Sequence, residues 1–145
     1  MRSDIISGDT RKGDGRLGTP NGLYPSGGYF GMNPQVGPAN LISVHPNFTW
    51  SPKNNIRLTM DVLFNWRYST EDGIYSPSGS FRMSGSGSKK RYIGTAFIST
   101  FSWNINRFLN YSIGVQYFKT GSFINEVIPQ HQNGFFAGSV IGFFF

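Results

Sequence analysis

The residues from Ile56 to Tyr68 alternate strictly between two kinds of side chain. Even positions are all apolar or aromatic, and odd positions are polar except Leu63, so the period of two predicts a β-strand. The segment is longer than the roughly five or six residues typical of globular strands and suits a tilted strand that crosses a bilayer. The pattern predicts a lipid-facing set of Ile56, Leu58, Met60, Val62, Phe64 and Trp66. It predicts a lumen-facing set of Arg57, Thr59, Asp61 and Asn65.

The same period recurs along the rest of the chain. Residues 42–50 alternate and a short link around Ser51 to Asn55 joins them to the first strand, which predicts a hairpin. A second hairpin is predicted around a tight turn near Asn104 to Arg107, and the last strand is predicted to run to Phe145. The fragment from Asp4 to Ser7 is predicted to end one further strand. One face of the second hairpin is predicted to carry Ile93, Thr95, Phe97, Ser99, Phe101 and Trp103.

The connections between these strands alternate in length. Short turns alternate with long polar loops at roughly Gly8 to Pro38, Ser69 to Lys90 and Thr120 to Asn133. Outer-membrane barrels combine short periplasmic turns with long extracellular loops in this way. A secreted, soluble β-sandwich that binds carbohydrate also alternates, but with shorter strands whose apolar face turns inward. Strand length and the tryptophans near strand ends favour the membrane interpretation.

Composition limits the chemistry that this chain can perform. It has no cysteine and two histidines, which excludes disulfides, cysteine-ligated zinc and a thiol nucleophile. The adjacent carboxylates of Glu71 and Asp72 point apart in an extended loop and make a poor acid–base pair. We therefore expect no enzyme activity, no catalytic residue, no metal and no cofactor. No apolar run is long enough for a transmembrane helix, and the amino terminus lacks the apolar stretch of a signal peptide.

Nucleic-acid binding is an alternative because the net charge is +6 and 17% of the residues are aromatic. A platform that stacks bases would mix cations and aromatic rings on one face. In the segment from Ile56 to Tyr68 they lie on opposite faces, so we expect no nucleic-acid partner.

Several short motifs occur in an order that resembles the C-terminal portion of the alginate export family of outer-membrane proteins. No single motif is specific, but their ordered combination extends over nearly the whole chain. The terminal Phe145 also resembles the aromatic signal that outer-membrane barrels present to their assembly machinery. The motifs are Tyr29-Phe30-Gly31, Gly37-Pro38-Ala39-Asn40-Leu41-Ile42, His45-Pro46, Trp66-Arg67-Tyr68-Ser69-Thr70, Asp72-Gly73-Ile74-Tyr75, Arg91-Tyr92-Ile93-Gly94 and Gly121-Ser122-Phe123-Ile124.

The resemblance implies an all-β, antiparallel transmembrane barrel in a Gram-negative outer membrane. It implies passive passage of a polar, anionic saccharide such as alginate, with residues 1–145 as the C-terminal part of the barrel domain. Five strands and the end of a sixth are fewer than the eight of the smallest barrels, so we expect an incomplete piece. The expected partners are outer-membrane lipid, lipopolysaccharide, the anionic polysaccharide and the barrel assembly machinery.

The polar face of the strand from Ile56 to Tyr68 supplies the candidate site. Arg57, Arg67, Asp61 and Asn65 are predicted to face the lumen and contact substrate, because guanidinium groups bind carboxylates in a bidentate manner. The alternative is an ion pair between Asp61 and a neighbouring arginine that only holds strands together. The basic run from Lys89 to Arg91 is interpreted as a solvated rim rather than a polymer-binding site.

Overall fold

The computed structural model describes residues 1–11, 15, 18–20 and 30–145. No helix in this part of the chain is long and apolar enough to cross a bilayer. Tyr29, the first residue of one quoted motif, lies outside the described residues. The elements in the described part are β1 (Arg2–Ile6), β2 (Leu41–His45), β3 (Asn47–Lys53), β4 (Ile56–Arg67), β5 (Ile74–Tyr75), β6 (Phe81–Met83), β7 (Tyr92–Asn106), β8 (Leu109–Thr120), α1 (Ser122–Val127) and β9 (Gly134–Phe143).

One antiparallel sheet contains all the long strands, which confirms the predicted all-β fold. Its order is β1-β2-β4-β7-β8-β9, and β3 also pairs with β4. Pro46 separates β2 from β3 because proline has no N–H to give to the ladder. Its carbonyl still accepts a hydrogen bond from the Val62 N–H at 3.0 Å, so β2 and β3 act as one interrupted strand.

The connections have the predicted lengths. Asn54 and Asn55 alone link β3 to β4, and Arg107 and Phe108 alone link β7 to β8. The connections at the opposite end are the three long loops, 7–40, 68–91 and 121–133. Two features inside these loops were not predicted: the small β5–β6 hairpin and helix α1. Both lie in segments where no apolar period is visible in the sequence.

The register of β4 against β7 separates two faces as predicted. Even-numbered residues of β4 lie opposite odd-numbered residues of β7, as in the pairs Met60–Ser99 and Val62–Phe97. This outer face carries large apolar side chains that are exposed, among them Phe48 at 61% and Phe135 at 72%. A β-sandwich would cover such a face with a second sheet. Within the described residues, the second sheet is only the two-stranded β5–β6 hairpin.

Ile93 lies on the other face from the one predicted for it. The pairing shifts between Asn65–Gly94 and Trp66–Tyr92, which leaves Ile93 as an extra residue in β7. Gly94 has a φ of 154°, and this bulge turns Ile93 into the buried core while Phe97 stays outside. The rest of the predicted face keeps its alternation, because the bulge affects only the first residues of β7.

A small hydrophobic core lies on the inner face of the sheet, near the long loops. The loops fold back over the strands and contribute Phe30, Val36, Ile74, Phe123 and Ile124 to it. The inner face therefore has two parts: a half covered by loops and a half near the short turns that stays polar. The strands contribute Leu41, Leu63, Ile93, Ala96, Ile98 and Phe118.

In the described part of the chain, one edge of the sheet consists of β1 and of β3, which pairs only with β4, and the other edge is β9; the two edges do not pair with each other. The predicted final strand ends at Phe143 rather than Phe145. Phe144 still donates a backbone hydrogen bond to the Phe108 carbonyl at 2.9 Å, close to the short turn.

Candidate lumen surface

The inner face of β4 carries the four residues predicted to contact substrate. Arg57, Asp61, Asn65 and Arg67 are odd-numbered and therefore share this face. Their surroundings differ along the strand because the loops cover only one end of it. That these four residues contact substrate remains a prediction. Two of them, Asn65 and Arg67, are buried by surrounding protein.

Arg57 lies at the polar end of the face, near the short turns. Its side chain is exposed and lines a cavity of about 290 Å³ together with Asn55, Ser102, Asn104 and Asn110. In the described part of the chain, no carboxylate forms an ion pair with Arg57. The alternative prediction was an ion pair between Asp61 and a neighbouring arginine. Among the described residues, Arg57 does not form this ion pair.

Arg67 is fully buried. Nε donates to the Lys90 carbonyl at 3.1 Å, and Nη1 donates to the carbonyls of Thr70 and Asp72 at 3.2 and 3.0 Å. Nη2 donates to the Ser88 carbonyl at 2.8 Å. Because backbone carbonyls of the 68–91 loop surround the guanidinium, it holds this loop in place, and we leave it out of the proposed substrate contacts.

Asn65 is buried beside β2. Its Oδ1 accepts a hydrogen bond from the Ser43 hydroxyl at 2.7 Å, and its Nδ2 donates to the Leu63 carbonyl at 3.3 Å. Ser43 also lies 2.7 Å from Nε2 of His45. These contacts form a short polar chain between adjacent strands, so Asn65 is likewise left out of the proposed contacts.

Asp61 lies between the covered and polar parts of the face. Its carboxylate forms no hydrogen bond or ion pair with the described residues. It lines a cavity of about 360 Å³ beside Arg2, His45 and Thr100. Of the four predicted residues, Arg57 and Asp61 thus remain accessible from the inner face.

Gln116 was not predicted and attaches a loop segment to the inner face. Its Oε1 accepts hydrogen bonds from the N–H groups of Met32 and Asn33 at 2.9 and 3.1 Å, and its Nε2 donates to the Asn33 carbonyl at 2.8 Å. Gly31 lies so close that a Cβ would come 2.7 Å from Gln116 Oε1. In the sequence, Gln116 is an amide side chain between Gly114 and Phe118 on this face. This polar residue could have indicated that a loop segment binds there.

Asn40 joins two of the long loops. Its Nδ2 donates to the carbonyls of Ser69 and Gly73 at 3.0 and 2.8 Å, and its Oδ1 accepts from the Ser69 N–H at 2.6 Å. Its φ of 50° is in the left-handed region, which asparagine tolerates better than most residues. The quoted Gly37-to-Ile42 motif contained this residue, but nothing in the motif indicated its contacts.

Asp72 joins the same two loops. Its Oδ2 accepts a hydrogen bond from the Asp9 N–H at 2.9 Å, and its Oδ1 accepts from the Gly73 N–H at 2.6 Å. The Tyr75 hydroxyl donates to Oδ1 at 2.8 Å. Burial, together with this hydrogen bond to a carboxylate, raises the pKa of the Tyr75 phenol. Asp72 is thus a structural carboxylate.

The basic run beside β7 lies at the loop end of the sheet. Lys89, Lys90 and Arg91 are exposed, and Lys89 pairs with Glu71 on the same loop. The side chain of Ser88 is buried and donates to Glu126 of α1, which ties the loop to the helix. In the part of the chain that the structure describes, no group of His, Asp and Glu side chains could hold a metal ion.

The chain matches the family model described as Alginate export over residues 1–137. No curated protein and no solved structure matches it. The family is a transport family of outer-membrane proteins rather than a family of enzymes. Because the match covers nearly the whole chain and agrees with the all-β fold, the protein belongs to the alginate export family.

Proposed function

We propose that this chain forms part of the wall of an outer-membrane channel through which a polar, anionic saccharide such as alginate passes passively. The observation that carries the proposal is the division of the sheet into an exposed apolar face and an inner face with accessible polar groups. Both faces are favourable at once when the sheet forms a wall between lipid and water. Family membership supports the role in export.

In this proposal the outer face contacts lipid acyl chains. Trp50 and Trp103 lie near the short turns, where aromatic side chains of barrels mark the membrane interface. The short turns then lie on the periplasmic side and the three long loops on the extracellular side. The exposed Lys90 and Arg91 lie at the loop end, where phosphate groups of lipopolysaccharide are available.

The two edges of the sheet, β1 with β3 on one side and β9 on the other, require pairing partners inside a membrane, because unpaired N–H and C=O groups are costly in lipid. We propose that further β-strands complete the barrel by pairing at these edges. We also propose that the barrel assembly machinery is a partner of this chain. The proposal of further strands rests on the unpaired edges of the open sheet.

The positive charge of Arg57 supports the proposed preference for anions. It lies on the inner face, is exposed, and has no carboxylate partner among the described residues. An unpaired cation in a narrow aqueous path attracts anions over a distance set by the ionic strength. Asp61 lies on the same face and reduces this attraction, so we expect a moderate anion preference.

Reversal potentials of the complete barrel in planar bilayers test the proposal. Arg57→Gln should reduce the preference for anions over cations, and the difference from the unsubstituted channel should shrink in high salt. Arg107→Gln is the matched control because Arg107 lies in a short turn, against the Phe108 ring. A barrel that forms no ion-conducting pore would overturn the proposed function.

A further inference from the structure

Lys119 is a charged residue on an apolar surface. It pairs with Thr95 of β7 and follows Val115 and Tyr117 on the outer side of β8. Within the described strands β4, β7, β8 and β9, it is the only charged residue at an outer-face position. Lys119 is exposed and forms no ion pair with the described residues. A cation on a lipid-facing surface requires water or an anion within reach of its ammonium group.

The position of Lys119 along β8 places it at one boundary of the apolar face. It lies roughly 34 Å along the strand from Leu109, at about 3.4 Å per residue. At the usual strand tilt of about 40°, this length corresponds to a height of about 26 Å, close to the roughly 25 Å of an outer-membrane apolar band. Because β8 ends at Thr120, Lys119 lies at the loop end, at the level where lipid headgroups begin.

Aromatic side chains lie beside Lys119 at this end of the outer face. The Tyr92 hydroxyl forms a hydrogen bond with Thr95, the residue that pairs with Lys119. The ring centroids of Tyr92 and Trp66 lie 5.8 Å apart, and Trp66 stacks on Phe64 at 6.1 Å. Tyrosine and tryptophan favour the boundary between hydrocarbon and headgroups, because each combines an apolar ring with a polar group. These rings therefore indicate the same depth for Lys119 as its position along β8.

An apolar groove lies on the outer face, on the side of Lys119 that is directed towards the short turns. Its volume is about 300 Å³, and residues of four neighbouring strands line it. Phe97 and Tyr117 pair with each other and, together with Phe135, line the groove on the side of Lys119. Ser99, two residues further along β7, is the small side chain of the lining. An acyl chain would thus meet an apolar groove that begins one row of side chains away from Lys119.

We propose that Lys119 and this groove form a site for one lipid with a phosphorylated headgroup in the extracellular leaflet, an inference that rests on the lipid-facing outer face of the proposed function. Lys119 donates hydrogen bonds to the headgroup phosphate, and one acyl chain lies in the groove. The exposed Lys90 and Arg91 directly precede Tyr92 and add positive charge at the same end of the sheet. A second copy of this chain fits less well, because the outer faces of its strands β4, β7, β8 and β9 offer no carboxylate to Lys119.

The test is native mass spectrometry of the complete barrel in detergent, titrated with diphosphoryl lipid A, the phosphorylated anchor of lipopolysaccharide. The unsubstituted barrel should bind it at lower concentration than lipid A without phosphates, and excess inorganic phosphate should not displace it. Lys119→Gln should raise the half-saturating concentration of diphosphoryl lipid A roughly tenfold. It should leave binding of the dephosphorylated lipid unchanged, because only a phosphate uses the lysine charge. Lys119→Arg should bind both lipids as the unsubstituted barrel does.

Filling the groove tests the acyl chain separately. Ser99→Phe should raise the half-saturating concentrations of both lipids, because the larger side chain occupies the groove. Ser139→Phe is the matched control, since Ser139 lies on the outer face of β9 and does not line the groove. Lys53→Gln is the control for charge, because it removes a cation near the short turns. Both controls should leave the half-saturating concentrations unchanged.

Equal binding of diphosphoryl lipid A by Lys119→Gln and the unsubstituted barrel would overturn the site, as would equal losses in Lys119→Gln and Lys53→Gln. Displacement by inorganic phosphate would overturn a lipid as the occupant. Barrel dimers that Ser99→Phe separates would assign the groove to a second copy and overturn the proposal. A barrel that conducts ions but does not bind the lipid would overturn this site alone. A barrel that binds the lipid but conducts no ions would support the site and overturn the proposed function.

Discussion

The guanidinium carbon of Arg67 lies 3.9 Å from the centroid of the Phe123 ring. Phe123 is the second residue of α1, and both side chains are completely buried. The contact joins the end of β4 to the loop that follows β8, while the guanidinium hydrogen bonds hold the loop that follows β4. Two of the three long loops thus meet at one arginine.

Replacing Arg67 by methionine should destabilise the loop end of the protein. Several carbonyls of the 68–91 loop would lose a charged donor, and each such hydrogen bond contributes about 1.5–3 kcal/mol. Protease cleavage within this loop should accelerate, and the thermal unfolding midpoint in detergent should fall. Arg67→Lys should have an intermediate effect because lysine keeps the charge but not the planar set of donors. Unchanged protease resistance of Arg67→Met would contradict this role.

Substitutions at Asn40 can separate the contribution of its side-chain hydrogen bonds to stability from that of its left-handed backbone conformation. Asn40→Gly keeps a residue that adopts the observed φ of 50° but loses the side-chain hydrogen bonds to Ser69 and Gly73. Asn40→Ala loses the same bonds and adds backbone strain of about 1–2 kcal/mol. Both variants should have a lower free energy of unfolding, with alanine the less stable of the two. Equal stability of the variants would show that the left-handed conformation is not retained.

A charged substitution should be costly on the outer face of β4 and tolerated on its inner face. Val62→Arg places a cation on the outer face and should cost roughly 2–4 kcal/mol near the bilayer midplane. Thr59→Arg, on the inner face of the same strand, should cost far less because it meets water. Unfolding titrations of the barrel in lipid vesicles measure both. Equal costs would be incompatible with a lipid-facing Val62.

Tyr75 makes stability depend on alkaline pH. Its pKa is raised in the folded protein by burial and by the hydrogen bond to Asp72, so the folded state holds the phenol proton more tightly than the unfolded state. The resulting stabilisation is fully present below the unfolded phenol pKa of about 10 and is lost as the pH rises through the folded value. Tyr75→Phe should be less stable at pH 8 and show a flatter decline above pH 10. Parallel pH profiles of the two proteins would contradict this assignment.

The strands were predictable from the sequence because side-chain alternation reports directly which face meets which environment. The alternation predicted the apolar face formed by the even-numbered residues from Ile56 to Trp66. Together with the short links between strands, it also predicted both short turns. Ile93 could not be placed, because the bulge at Gly94 changes the register without changing the composition. The role of Arg67 was missed because the 68–91 loop folds back over the inner face and surrounds its guanidinium. The role of Asn65 was missed because its hydrogen-bond partner Ser43 lies on a different strand. Alternation identifies that face but does not show how much of it is covered.

Labelling at two adjacent positions on β4 distinguishes the aqueous face of the sheet from the lipid-facing one. Thr59→Cys and Met60→Cys place a thiol at nearly the same depth but on opposite faces of the sheet. In the complete barrel in lipid vesicles, a charged, membrane-impermeant maleimide should label Thr59→Cys readily and Met60→Cys very slowly, because only the inner face is wet. Equal labelling, or faster labelling of Met60→Cys, would contradict an aqueous inner face and a lipid-facing outer face.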